Sequence, residues 1–299
     1  MSCLSPVTIH VNKQSYEVPC RQCLSCRLDY QMYLTFCVEN ELYDLYKRGL
    51  GATFCTFTYS DVNLPSNGSL CKSDLQNLFK TVRTTAKRNG SLPPFKYIAC
   101  GEYGDKFGRP HYHAVILGWS DVICHNMFRK YWTHGLSDFG VLRSGGVRYV
   151  LKYCTKSVRG TKAEEMYDAQ GLERPFITHS HKIGYDWLCR NADDIVANNF
   201  TYLNKGVRRP IPKYFRDKYD YFKTFNPMPA VDFLRREGAL HNYPDYREWS
   251  KVKAYNKEKG LIQRARQEGI PVDDANFIAT PLPSPSLAPS LVTEVLNRP

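Results

Sequence analysis

Two hydrophobic periods alternate along the first two thirds of the chain, and each change of period marks an element. A helix is predicted from about residue 27 to 48, then a strand over 52–59 through Phe54, Cys55, Thr56, Phe57, Thr58 and Tyr59. Leu75, Leu78, Phe79 and Val82 recur at helical spacing and face inward, with Ser73 and Gln76 read as a capping box at the start. Strands at 95–102 and 111–118 follow, then a short helix after Ser120, a strand at 136–142 and a helix from about 147. Strand, helix, hairpin, helix, strand is an α+β order with a central, mainly antiparallel sheet and flanking helices. Residues 157–200 read as loop-rich, 245–268 as a charged helix, and the Pro/Ser-rich 281–289 as disordered, with no internal repeat. The expected organisation is a Cys-rich segment at 1–30, a catalytic domain at 31–200, a basic extension at 201–270 and a disordered tail at 271–299.

Within the predicted hairpin, His111-Tyr112-His113 places two imidazoles on one strand face roughly 7 Å apart, with Tyr112 pointing away. The stretch Gly104 to Pro110 carries glycines and a proline and reads as a turn, which brings Glu102 back beside His111. Two neutral nitrogens and a carboxylate oxygen leave coordination positions open on a divalent ion such as Mg²⁺ or Mn²⁺, as is needed to polarise a phosphate oxygen. The bland alternative is two histidines on an ordinary strand face.

The helix from about 147 divides its residues unusually. Val147, Val150, Leu151 and Cys154 form the arc that packs on a core, and the opposite arc holds Tyr149, Lys152, Tyr153 and Lys156. Tyrosines normally join the apolar stripe, so a pair on the lysine side is placed as reagents would be. A phenol is a poor nucleophile at its ordinary pKa of about 10, and a nearby metal and ammonium groups favour the phenolate. Each tyrosine has a lysine three residues later. The alternative is an amphipathic surface helix whose tyrosines cover a neighbouring loop.

Metal and nucleophile together point to phosphodiester transesterification: a tyrosine oxygen attacks phosphorus in single-stranded DNA and the 3′ oxygen leaves, giving a 5′-phosphotyrosine and a 3′ hydroxyl. The chain resembles the HUH endonucleases, and within them the rolling-circle replication initiators of microviruses, nearest to the gokushovirus branch. The resemblance is carried by Cys20 to Leu28, Phe54 to Tyr59 with Leu64-Pro65, Cys100 to Gly104, Gly108 to His113, the tyrosine helix, and Gly184 to Trp187, in order over roughly residues 1–220. It implies a palm-like or ferredoxin-like core, metal binding by His111, His113 and Glu102, and Tyr149 and Tyr153 as nucleophiles. It further implies an origin in single-stranded DNA as substrate, host replication proteins as partners, and the host bacterial cytoplasm as the place of action. His179-Ser180-His181-Lys182 stands where a different, Met-Ser-containing segment is expected, so no role is carried to it.

Composition changes this picture in three places. The formal charge is +12, and residues 205–266 hold 16 Lys or Arg against 7 Asp or Glu, which a polyphosphate partner explains better than an acidic small molecule. Tyr202, Tyr214, Phe215, Tyr219, Tyr221 and Phe222 in and beside this segment either stack unpaired bases or pack the segment onto the main domain. No apolar run approaches about 18 residues and no signal peptide is read at the N-terminus, so neither membrane spanning nor export is expected. Without a secretory signal, eleven cysteines argue for thiols or metal ligands. Cys20, Cys23 and Cys26, with Cys3 as a fourth thiolate, suit a structural zinc, with free thiols or an iron–sulfur cluster as the other readings. Cys37, Cys55, Cys71, Cys100, Cys124, Cys154 and Cys189 read as small core residues.

Rival functions are a basic nucleic-acid binder without catalysis, a histidine-triad nucleotide hydrolase and a single-tyrosine transposase-like nuclease. The first leaves the ligand and tyrosine pairs as coincidence. The second needs a histidine where Val115 stands, and the third uses only one tyrosine.

Overall fold

The computed structural model describes residues 3, 6–90, 92–104, 107–142, 146–156, 161–204, 207–228 and 259–260. In chain order the elements are β1 (Val7–Val11), β2 (Gln14–Val18), α1 (Leu24–Lys47), β3 (Ala52–Thr58), α2 (Lys72–Asn89), β4 (Lys96–Tyr103) and β5 (Pro110–Leu117). There follow α3 (Asp121–Tyr131), β6 (Ser137–Val141), α4 (Gly146–Lys156), α5 (Thr161–Met166) and β7 (Phe176–His179). The described part closes with α6 (Tyr185–Arg190), α7 (Ala192–Ala197), β8 (Thr201–Asn204), β9 (Val207–Pro210), α8 (Lys213–Lys218) and α9 (Asp220–Lys223). The described residues divide into two compact units. One gathers those of Met1–Cys26, Ile195–Pro210 and Lys223–Pro299, the other those of Arg27–Asp194 and Ile211–Phe222.

The second unit is built on a five-stranded sheet of order β6-β3-β5-β4-β7 in which every pairing is antiparallel. From β3 to β6 the chain runs strand, helix, strand, strand, helix, strand, the βαββαβ plan of ferredoxin-like folds, and β7 extends the sheet beyond β4. The expected α+β class with an antiparallel sheet holds. Alternation along β3 sends Cys55 and Phe57 to one face and Phe54 and Thr56 to the other. On the first face α2 and α3 close a core of Leu75, Leu78, Phe79, Val82, Cys124 and Phe128 over Cys55, Phe57, Tyr112, Ala114 and Ile116. Each large side chain buried there contributes about 1.5–3 kcal/mol relative to exposure.

Two expectations need correction. Ser73 does not cap α2, which starts at Lys72 with Cys71 in the N-cap position and no side-chain cap there. Long-range partners serve its first turn instead: Cys71 N–H donates to the Tyr112 hydroxyl at 2.7 Å, and Lys72 N–H to the Glu173 carboxylate at 2.8 Å, an acid where the helix dipole favours one. The second correction concerns 157–200. Its described part is ordered into α5, β7, α6 and most of α7. The supposed helix at 245–268 lies outside the described residues except for 259–260, and the supposed disorder at 281–289 lies outside them altogether.

The first unit contains two antiparallel pairs, β1 with β2 and β8 with β9. β1 and β2 join through Asn12 and Lys13, both left-handed at φ 51° and 64°, as a two-residue hairpin turn requires. Almost every residue of these two strands is exposed.

Candidate active site

The ligand residues lie on the sheet face opposite α2 and α3. β4 and β5 pair with Glu102 directly across from His111 and Cys100 across from His113, and directly paired residues of an antiparallel ladder share a face. The turn at 104–110 thus returns the carboxylate to the histidines as the sequence predicts. The His113 Nε2 faces the Glu102 Oε1 at 3.0 Å, with the two residues only 8% and 9% exposed. On the neighbouring strand, Thr56 pairs with His113 and its Oγ1 lies 3.1 Å from Nδ1, fixing the ring from behind. Phe54 stacks beside the same ring at 5.8 Å.

His111 is oriented by its own turn. Its Nδ1 lies 2.6 Å from the Arg109 carbonyl, which can only accept, so Nδ1 carries the proton and Nε2 keeps its lone pair. Arg109 is itself held by Asp61 and by the Tyr59 carbonyl, both at 2.7 Å. A Cβ on Gly104 would stand 3.1 Å from the His111 ring, so glycine lets the imidazole lie close against the backbone. The two imidazoles are parallel within 7°, with centroids 6.4 Å apart.

The chemistry of this donor set suits a divalent ion. Two donors at right angles, each about 2.1 Å from one ion, stand about 3.0 Å apart, the separation found between His113 and Glu102. His111 is not drawn into an equally tight group: among the described residues only Cys3, Cys20, Cys23 and Cys26 have all their donor atoms within 4.8 Å of one another.

α4 brings the tyrosines to this face. Val150 and Leu151 are fully buried and Val147 nearly so, while Tyr149 is 42% exposed, which reproduces the two arcs read from the sequence. Gly146 opens the helix where a Cβ would meet Leu142 at 2.6 Å and Phe54 at 3.3 Å, so the first turn sits directly over β3. The Tyr149 ring stands edge-on to His113 at 5.0 Å, and its hydroxyl donates to Glu102 Oε1 at 3.3 Å, the oxygen that also faces His113. Lys152 lies on the exposed side of α4. Tyr153 and Lys156 are on the same helix, with side chains outside the described set. Thr56 and Phe54 escaped the sequence reading. Their only signal is strand parity, which is mute until β3 is known to lie beside β5.

Of the remaining candidates, Phe215 and Phe222 are buried, and Phe215 packs against Tyr33 and Phe36, so packing accounts for these two rings. Cys37, Cys55, Cys100 and Cys124 are buried as expected, whereas Cys71 and Cys189 are half-buried. Burial works against ionisation of Cys20, but the amides of Cys23 and Gln22 and the thiols of Cys3 and Cys23 outweigh it and lower the pKa to about 7. For Cys26, burial and then the Cys23 and Cys3 thiols push the value well up. No helix among the described residues is long and apolar enough to cross a membrane.

Residues 52–158, from the first residue of β3 to just past α4, match the model of a family described as replication-associated protein ORF2. The chain is 26% identical over 284 residues to replication-associated protein VP4 of Bdellovibrio phage phiMH2K, covering 88% of this chain and 80% of that protein. It is 27% identical over 305 residues to replication-associated protein ORF2 of Spiroplasma virus 4, covering 82% and 92%. The chain resembles the microvirus replication initiators. A shorter match, 27% identical over 141 residues, is to replication-associated protein ORF4 of Chlamydia phage 1. No solved structure matches. The part of this initiator-like chain that fits the family model is the part that carries the βαββαβ plan, both histidines, Glu102 and the tyrosine helix.

Proposed function

We propose that the protein initiates rolling-circle replication by nicking single-stranded DNA at an origin and later rejoining the ends into circles. The observation that carries this reading is the Tyr149 hydroxyl 3.3 Å from the Glu102 oxygen that faces His113: a nucleophile beside a metal-type donor set, on a chain with phage replication proteins as relatives. The Tyr149 oxygen attacks phosphorus and loses its proton, the bond to the 3′ oxygen breaks, and the DNA is left as a 5′-phosphotyrosine with a free 3′ hydroxyl. One phosphoester replaces another, so resealing needs no nucleotide hydrolysis. His111, His113 and Glu102 would hold a divalent ion, Mg²⁺ or Mn²⁺, which when bound withdraws charge from a non-bridging phosphate oxygen. Thr56 and the Arg109 carbonyl hold the imidazoles in place, and Lys152 and Lys156 favour the phenolates electrostatically. Tyr153 on the same helix supplies a second nucleophile, so that one tyrosine holds an end while the other cuts. Host replication proteins extend the 3′ hydroxyl in the bacterial cytoplasm.

The test is incubation of the full chain with a labelled single-stranded origin oligonucleotide and Mn²⁺, followed by a denaturing gel and peptide mapping of adducts. Adducts on both tyrosines, lost on metal removal and in His111→Ala or His113→Ala, are expected. Undiminished cleavage by the double histidine variant in metal-stripped buffer would sink the reading. A tyrosine that never carries DNA, and whose Phe variant still makes circles, would reduce the mechanism to one nucleophile.

A further inference from the structure

The first unit has a stability problem that its thiols answer. An isolated two-stranded hairpin is marginal in water, and β1 and β2 bury almost none of their side chains. Small structures of this kind need a staple. The hairpin lies wholly between Cys3 and Cys20, and a link between those residues closes the chain around it. Their sulfurs gather with those of Cys23 and Cys26, all four within 4.8 Å of one another.

The spacing is that of ligands around a single ion. The Sγ atoms of Cys3 and Cys23 are 3.9 Å apart and those of Cys20 and Cys26 4.0 Å, far longer than a disulfide at about 2.05 Å. Four sulfurs each about 2.3 Å from a central zinc form a tetrahedron with edges of about 3.8 Å. A cluster of several irons would hold its thiolates farther apart. Backbone amides already point at the sulfurs: Cys20 N–H at Cys3 Sγ (3.2 Å), and the N–H groups of Gln22 and Cys23 at Cys20 Sγ (3.4 and 3.3 Å). Arg21 takes the left-handed conformation, φ 61°, which turns the backbone between Cys20 and Cys23. Such outer-shell donors spread the negative charge of thiolates. A zinc with four thiolates carries a net charge of −2, and Arg21 and Arg27 adjoin Cys20 and Cys26 in sequence.

We infer that Cys3, Cys20, Cys23 and Cys26 form a tetrahedral structural site for one zinc ion that staples the β1–β2 hairpin to the first turn of α1. This site is independent of the His111, His113 and Glu102 group: its ligands are soft sulfurs and leave no open position, whereas the sheet site offers nitrogen and oxygen donors suited to a harder catalytic ion.

The full chain, purified with a reductant and without chelator, is expected to carry one zinc per molecule by plasma emission. Replacement by Co²⁺ should give the visible absorption of tetrahedral cobalt thiolates. Cys23→Ser should lose the zinc, Cys26→His should keep it, and Cys71→Ser, outside the cluster, should leave it unchanged. Chelation of the wild type should speed tryptic cleavage after Lys13 at the hairpin tip. If the serine variant does not fold, the wild-type cobalt spectrum and the chelator-dependent cleavage decide. Absence of metal, iron in place of zinc, or full zinc content in a folded Cys23→Ser protein would overturn the proposal.

Discussion

The two faces of the five-stranded sheet are made by the same strands yet carry different work, and β5 shows the difference at single-residue spacing. Tyr112, Ala114 and Ile116 point into the aromatic core beneath α2 and α3, while His111 and His113, between and beside them, point to Glu102 and Tyr149. On the core face, polar atoms serve the backbone: the Tyr112 hydroxyl lies 2.8 Å from that of Tyr59, which donates to Asp74, and it receives Cys71 N–H. On the other face the polar groups serve each other and leave donor atoms directed outward. A strand interior therefore separates holding the fold from doing chemistry by parity alone, so substitutions at adjacent positions should have different consequences.

The largest effect should come from the double variant Tyr149→Phe with Tyr153→Phe, which keeps both rings and removes both attacking oxygens. No covalent protein–DNA adduct is expected on a denaturing gel, and the urea midpoint should imply a change within about 0.5 kcal/mol. Persistent adduct would put the nucleophile elsewhere. The opposite signature belongs to Phe57→Ala on the core face of β3, where a fully buried ring is lost at a cost of about 3–5 kcal/mol. Thermal unfolding should shift down sharply, with cleavage per folded molecule preserved. Equal losses of folding and cleavage chemistry would erase the distinction between the faces.

Its neighbour sharpens the contrast. Thr56→Val removes the hydroxyl behind His113 with nearly constant volume, and metal-dependent cleavage should fall about 10–100-fold while the unfolding midpoint barely moves. An unchanged cleavage rate would show that His113 needs no such support. The smallest effect is expected for Ser120→Ala, which deletes the side-chain cap of α3 at Ile123 N–H. That contact is 3.4 Å long, so the cost should be about 0.5 kcal/mol, visible in chemical denaturation and invisible in cleavage.

Much of this arrangement is legible in the sequence because it rests on short-range periodicity. The inward face of α2, the cap at Ser120, the β4–β5 turn and the split arcs of α4 all follow from spacing. What escapes depends on neighbours distant in the chain. β7 is four residues, Phe-Ile-Thr-His, and becomes a strand because the edge of β4 is there to pair with it. Ser73 has the residue type of a cap but loses that place to Cys71, whose backbone is fixed by Tyr112 and whose successor is served by Glu173. The β1–β2 hairpin turns on Asn12-Lys13 without the glycine that usually advertises such a turn. At the site, His111, His113 and Glu102 could be paired by counting across one turn, but Thr56 could not be joined to them without the sheet order.

The position of β5 between β3 and β4 limits how the chain can change in length. Its register is locked on both flanks, Thr56 and Cys100 each paired with His113. Slippage by one residue would carry Tyr112 to the outer face and drive both imidazoles into the hydrocarbon interior. Insertions and deletions are thus unequal along this stretch. Between Tyr103 and Pro110 a residue can be gained or lost without disturbing either ladder, whereas the same event inside 111–117 misaligns both at once. Descendants of this chain can vary the reach of the loop beside the scissile strand while the count of residues that aims the imidazoles stays fixed.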